Sequence, residues 1–417
     1  MRENNSQSDG LGGHGGIDRR SILKTGGVSL GAFSLAGCLG SLTGGDGGSD
    51  VEETDEVQSV MEEVPDYYSD DYWQTLAEAQ QNEGKMKIYT SQFGSFSESV
   101  VEGFNETVPF VDVEIVNLPT AKVYQRFSSE ASQDVWEPDV VHTYDAPAFS
   151  QMNQQDLLMN YESPEKEHFD DMWKSDDGTI LAPNYNPYAN AWNPSEMDSE
   201  PPNSLEALAN AIDSNTSAWD GNFAMYDGQL STSMWQTMLQ WQEVYGEETM
   251  TQHLEKLGEA NPKTFWSTST MGEWVATGEV QYGIGLAQFI LDAYVRPDYG
   301  EEQLEWQPAD DIISNIFLGG YNIVKKPTNP ASAKVFFDWY NSPTGQIYLA
   351  NEWNLVASHA EVSASDIESE FADFGPMVHE NIASNTPFVW GYDKLSKSGG
   401  DKVDLQELWY TTFVGGG

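Results

Sequence analysis

The chain has 417 residues, more than a single small module needs, and two lobes of ordinary domain size account for its length. It carries 67 Asp and Glu against 19 Lys and Arg, a formal net charge of −48 that repels nucleic-acid phosphates and excludes nucleic-acid binding. With 14 Trp, 19 Tyr and 18 Phe the bulk of the chain has enough apolar surface to fold. The acid surplus suits concentrated salt, where screening relieves self-repulsion, and points to a halophilic archaeon as the source.

The first forty residues read as an address. Asp18-Arg19-Arg20-Ser21-Ile22-Leu23-Lys24 precedes an apolar stretch, Thr25 to Ala36, too short and glycine-rich to persist as a membrane-spanning helix. The Arg19-Arg20 pair resembles a twin-arginine export signal, with Asp18 where a hydroxyl residue is usual. Leu35-Ala36-Gly37-Cys38 resembles a lipobox, whose cysteine sulfur carries a lipid. Cys38 is the only cysteine, so no disulfide, zinc or iron–sulfur site can be made from thiolates. Residues 1–37 are therefore expected to be a cleaved signal peptide, with Cys38 lipidated on the extracellular face of the cell membrane. Residues 38–66, rich in Gly, Ser, Asp and Glu, are expected to be an acidic flexible tether.

Lys85 to Ser91 alternates as a strand, and Ser97 to Phe104 repeats apolar residues at helical spacing. Val111 to Val116 reads as a second strand, Val123 to Ala131 as a second helix and Pro138 to His142 as a third strand. Strands alternating with helices predict parallel sheets, whose ligands collect beyond the carboxyl ends of the strands. Gly178 to Pro183 and Ala189 to Pro194 read as extended segments crossing into a second lobe, followed by a helix begun by Asn203 or Ser204. Phe223 to Tyr226 reads as a short buried strand. Ser231-Thr232-Ser233 then starts a helix through Met234, Met238, Leu239 and Trp241, and its free amides favour an anion. Asn329-Pro330 and Ser342-Pro343 each set a cap before a proline at the first helical position, predicting two consecutive helices. No stretch after the leader is long and apolar enough to cross a membrane, and the sequence from Phe388 onward is too irregular to assign.

Six pieces, in order and spacing, carry a resemblance: Lys87-Ile88-Tyr89-Thr90-Ser91 with Phe104; Pro138-Asp139-Val140-Val141 followed by Leu157-Leu158 and Tyr161; Gly178 and Trp192-Asn193-Pro194; Trp219-Asp220-Gly221-Asn222-Phe223-Ala224; Gly278-Glu279-Val280; and Asn341-Ser342-Pro343-Thr344-Gly345-Gln346. Together, over residues 85 to 358, they resemble the extracellular solute-binding proteins of ABC importers, in the subgroup with ferric-iron, thiamine, polyamine and phosphonate binders. The resemblance implies an α/β fold, a two-lobed periplasmic-binding-protein-like (type II) clamshell with each lobe a mostly parallel sheet flanked by helices. Lobe I would be 67–182 with 316–355, and lobe II 183–315 with 356–417. The implied protein is a monomer without cofactor or catalytic residues, which captures a small molecule or oxyanion and delivers it to an ABC transporter permease. Carried over by position, its ligand groups would be Gln92 and Phe93, Tyr144 and Asp145, Ser231 and Thr232, and Gln288, with Tyr185 and Asn186 near the crossing. Iron-binding members place a histidine in the first loop and two adjacent tyrosines beyond Gly-Glu-Val. Here those positions read Phe93 and Gln288-Phe289, which argues against iron and for a ligand held by hydrogen bonds and aromatic contacts, with no metal.

Simpler readings stand beside these. Phe93 either lines the cleft or packs under the first helix, Ser231 and Thr232 are either ligand groups or plain caps, and Asp145 is either a cleft residue or a solvated acid. Trp235 and Trp266 read as core or lobe-interface residues, and His142 as a neutral core histidine. A secreted hydrolase is the main rival function. The nucleophile-elbow, zinc-protease and phosphate-loop motifs are absent, whereas a carboxylate-pair glycosidase stays open because 67 acids make pairing uninformative. A sensory or adhesive surface protein would need a signalling helix or tandem repeats, and neither is visible.

Overall fold

A computed structural model describes residues 51–92, 94–175, 177, 179–181, 188–197, 200–265, 267–287, 291, 304–311, 320–353, 355–368 and 397–415. In chain order its elements begin with α1 (Asp55–Met61), α2 (Trp73–Glu78), β1 (Lys85–Thr90), α3 (Gly94–Thr107), β2 (Asp112–Asn117), α4 (Thr120–Ala131), β3 (Val140–Thr143) and α5 (Ala146–Gln154). There follow β4 (Tyr188–Trp192), α6 (Leu205–Ser214), α7 (Thr216–Trp219), β5 (Phe223–Tyr226), α8 (Thr232–Tyr245), α9 (Glu247–Glu259), β6 (Lys263–Phe265), α10 (Thr268–Ala276) and β7 (Tyr282–Ala287). The last are β8 (Glu305–Pro308), β9 (Gly320–Ile323), α11 (Pro330–Asn341), α12 (Pro343–Trp353) and α13 (Gly399–Phe413).

The strands form two sheets. The first has the order β2-β1-β3-β9, in which β1 pairs parallel with β2 and β3 while β9 runs antiparallel to β3. The second has the order β6-β5-β7-β4-β8, with β5 parallel to β6 and β7, and β4 antiparallel to β7 and β8. Both sheets are thus mixed; β4 and β9 each follow a strand of the other sheet and pair antiparallel, and β8 adds a second antiparallel neighbour to β4. β3, β5, β7 and β9 are buried along their whole length, as apolar runs such as Phe223-Ala224-Met225-Tyr226 require between helical layers.

Buried carboxylates fix the first half. Asp139 accepts from the amide of Lys87 at 2.9 Å, the amide of Asn329 at 2.8 Å and the Asn329 side chain at 2.9 Å, tying β1 and β3 to the start of α11. Glu83 caps α11 from outside, taking the amides of Ala331 and Ser332 at 3.1 and 2.7 Å, so the Asn329 side chain is not the cap. Ser342 does cap α12, through the amide of Gly345 at 3.2 Å.

Two sequence expectations change here. The tether expected over 38–66 does not extend to its end. α1 is helical with Thr54 as its N-cap, and Val57 and Val60 are buried against the body because their three-residue spacing makes an apolar stripe. Nor does the chain enter the second half at 356. His359 is fully buried and pairs with Glu165 at 2.9 Å, the amide of Ala360 bonds to the carbonyl of His168 at 3.0 Å, and Ala357, Val362 and Ile367 pack with Ala350. Glu165 also accepts from Tyr67 at 2.6 Å and from Tyr68, which locks the N-terminal arm to the same place.

Nearby, Asp338 is a buried hub that accepts from Ser163 at 2.6 Å, Tyr161 at 2.7 Å and Tyr72 at 3.0 Å. Burial pushes its carboxyl up to about 7 against the pull of those three donors. An unfolded chain releases this proton near pH 4, so the stability held by the protonated form is complete below that pH and is lost as pH rises to about 7. His142 acts in the opposite sense: burial pushes it down to about 3, so its contribution is lost as pH falls from the unfolded value toward 3. Asp338→Asn is expected to remove only the first slope. Relative to the native chain, the variant should gain stability between pH 5 and pH 8 in chemical denaturation, and parallel profiles would refute this.

Candidate ligand-binding cleft

A cleft of about 750 Å³ opens where the carboxyl ends of the two sets of parallel strands face each other. The first half contributes Ser91 and Gln92 after β1, Asn117 to Thr120 after β2, and Tyr144 and Asp145 after β3. The second half contributes Tyr226, Gln229 to Ser233 and Trp235 after β5, Ser267 to Ser269 after β6, and Ala287 at the end of β7. The placement follows from parallel pairing, since each strand must hand the chain to a loop and helix at the same edge.

Five helices, α3, α4, α5, α8 and α10, therefore begin at or beside residues that line the cleft, each directing the positive end of its dipole toward it. None of the five has an acidic residue in its first turn. Of the other helices, α1, α6, α9 and α13 each carry one or more there, as the helix dipole favours, while α2, α7, α11 and α12 do not. Among the described lining residues the charged groups are Lys122, Lys402 and Asp145, a surplus of cations in a chain of net charge −48. Hydroxyls from Ser91, Thr120, Ser231, Thr232, Ser233, Ser267, Thr268 and Ser269 complete a wall of donors.

Local bonds shape this wall. The Asp227 carboxylate takes the amides of Gln229 and Leu230 at 2.8 and 3.0 Å, bending the loop so that Ser231 stands at the N-cap of α8. The Ser231 side chain makes no capping bond there, so the plain-cap reading does not hold for it. Tyr226 and Thr268 bond through their hydroxyls, joining the end of β5 to the start of α10, and burial pushes Tyr226 up to about 12. Gln92 is buried and fixed, its side-chain oxygen accepting from Tyr321 and its amide nitrogen 3.3 Å from Nε2 of His142. His142 lies fully buried behind it, 3.2 Å from the Thr90 hydroxyl. Asp145 is 8% exposed and accepts from Lys402 Nζ at 2.8 Å, so it is not a solvated acid. Among the described residues no group of three or more His, Cys, Asp and Glu is placed to hold a metal ion.

Gln92, Tyr144, Asp145, Ser231 and Thr232 are thus brought together on the cleft. Phe93, Tyr185, Asn186 and Gln288 lie outside the described residues, as do Phe289 and Trp266. Trp235, read from sequence as core, is fully buried yet also lines the cleft. Ser267-Thr268-Ser269 was missed, although it repeats the hydroxyl triplet at a helix start seen at Ser231-Thr232-Ser233. Lys402 and Gln406 come from α13, in the stretch that the sequence alone does not assign, and no local pattern points them at a cleft built mostly from residues far back in the chain. α13 docks on the second half through Trp409, buried beside Gly228, and through the Gln406 amide, which donates to the Gly228 carbonyl at 3.1 Å. A Cβ at position 228 would sit 2.3 Å from the Trp409 ring. Gly228→Ala is expected to destabilise the protein by about 1–3 kcal/mol through overpacking, read as a lower denaturation midpoint, and an unchanged midpoint would show that Trp409 yields freely.

Two α/β halves with a donor-lined cleft at the strand ends define a periplasmic-binding-protein-like clamshell. Residues 99–373 match the bacterial extracellular solute-binding proteins, and the chain belongs to that family. Similar solved structures include the substrate binding protein of the ABC transporter from Agrobacterium tumefaciens, 16% identical with a TM-score of 0.63, covering 80% of this chain and 96% of that one. AfuA from Actinobacillus pleuropneumoniae, with exogenous fructose-6-phosphate bound, is 17% identical with a TM-score of 0.62 over 80% of this chain and 99% of its own. Iron-bound HitA from Pseudomonas aeruginosa is 15% identical with a TM-score of 0.59 over 79% and 99%. None of the curated proteins matches the chain.

Proposed function

We propose that this extracellular solute-binding protein captures an anionic small molecule in the cleft and delivers it to the permease of an ABC transporter. The observation that carries the reading is the convergence of five helix starts, none with an acidic residue in its first turn and only α5 with an acid, the lysine-paired Asp145, at its N-cap, on a cleft whose charged described lining is mainly lysine. A net charge of −48 opposes an anion at long range, whereas dipoles, hydroxyls and lysines in the cleft attract it. The likeness to AfuA, solved with fructose-6-phosphate, supports a phosphorylated or similar oxyanionic solute. The two halves act as lobes, 67–182 with 316–367 and 183–315 with the C-terminal helix, and Gln92, Phe93, Tyr144, Asp145, Tyr185, Asn186, Ser231, Thr232 and Gln288 supply the contacts. Export through Arg19-Arg20 and lipidation of Cys38 hold the monomer at the extracellular face of the cell membrane, in concentrated salt.

A ligand that binds only the folded state raises its midpoint by mass action, about 2.7 kcal/mol at a hundred times Kd. In thermal denaturation in concentrated salt, sugar phosphates or phosphonates are expected to raise the midpoint, whereas polyamines, thiamine and neutral sugars leave it unchanged. Ser231→Ala and Thr232→Ala should each weaken the active ligand several-fold, as loss of a hydrogen bond of about 1 kcal/mol implies, without moving the ligand-free midpoint. Stabilisation by ferric citrate or a polyamine alone would overturn the reading.

A further inference from the structure

α13 belongs to the second half by its packing, through Trp409 beside Gly228 and the paired amide bonds of Gln406 with Gly228 and Gln229. Two turns earlier the same helix sends Lys402 to the first half, where its Nζ lies 2.8 Å from Oδ2 of Asp145, the residue at the start of α5. The pair stands at the rim of the cleft, and both members line it. Partners on separate bodies meet only while those bodies are close, so the pair adds free energy to the closed arrangement alone.

The surroundings make the contact stronger than an ordinary surface ion pair. The Lys402 and Asp145 side chains are 24% and 11% exposed, which limits screening even in concentrated salt. Asp145 Oδ1 is buried without a hydrogen-bond partner among the described residues, and Lys402 is the described cation that pairs with this carboxylate. Removing the lysine leaves a nearly buried charge uncompensated, and opening to water is the relief available to it. Lys402 Nζ also stands 5.6 Å from the centre of the Trp235 ring, which holds the ammonium group over the cleft wall.

We propose that Lys402 is the closure-determining residue of the cleft, a latch carried by the C-terminal helix that joins the two halves through Asp145 and so sets how long a solute stays enclosed. The proposal rests on the reading of the cleft as a solute site that opens and closes. It makes α13 a third wall of the site.

The test is small-angle scattering of the ligand-free protein in concentrated salt, with near-UV circular dichroism as the check of folding. Lys402→Gln and Asp145→Asn should each shift the profile to a larger radius of gyration, Lys402→Arg should keep the native profile, and the double variant should be no more open than either single one. Dissociation of fructose 6-phosphate, the probe, should be about tenfold faster in Lys402→Gln, as expected for a lost charge-assisted bond, and native-like in Lys402→Arg. Should Lys402→Gln fail to fold, Lys402→Met, which keeps an apolar stem on Trp235, replaces it. Native scattering from both single variants, or strictly additive opening in the double one, overturns the latch. If fructose 6-phosphate does not bind the native protein while the scattering shifts and the arginine rescue hold, the latch stands and the anionic-solute reading falls.

Discussion

The direction of the helix starts of α3, α4, α5, α8 and α10, which point their positive dipole ends at the cleft, is the constraint around which the molecule is arranged. An α-helix leaves its first four amides without internal partners, equivalent to about half a positive charge at that end. Parallel pairing of β1 with β2 and β3, and of β5 with β6 and β7, delivers these ends to one edge of each sheet, and the sheets face each other across the cleft. In a chain of net charge −48 the surrounding potential would oppose an anion. In concentrated salt the reach of distant acids would shorten to a few ångströms, leaving adjacent dipoles and lysines as the nearest charges to the cleft.

Rigid walls are needed for such a site to discriminate, and buried carboxylates supply much of the rigidity in the first half. Asp139 and Glu83 hold the start of α11 against β1, β3 and the end of the helical segment before β1. Asp338 and Glu165 gather tyrosines from the N-terminal arm, with Ser163 and His359, into one network. Each carboxyl group is satisfied by several donors, the condition under which a buried or half-buried acid specifies a position. Salt-rich solvent screens a surface pair far more than these contacts, so interior placement suits the composition of this chain.

The C-terminal helix changes how the cleft is bounded. Without α13, two sets of strand ends would face each other with open sides; with it, Lys402 and Gln406 complete the lining and Trp409 anchors the addition to the second half. Asp145, the single carboxylate among the described lining residues, is neutralised by a residue 257 positions away, which keeps the cleft hospitable to an anion. The carboxylate therefore works for the two halves together.

The strand and helix alternation of residues 85–143, the helix starts at Ser204, Ser231, Asn329 and Ser342, and the loops that carry Gln92, Tyr144, Asp145, Ser231 and Thr232 were all readable in the sequence. Periodicity, caps and prolines are local, acting over one or two turns, and parallel order makes the strand ends converge. The packing of α1, the return of 356–367 to the first half, the burial of Asp145, and the arrival of Lys402 and Gln406 were decided only in three dimensions. Each depends on contacts between residues far apart in the chain. A residue's own neighbours in sequence carry no information about which distant side chain will neutralise or cover it.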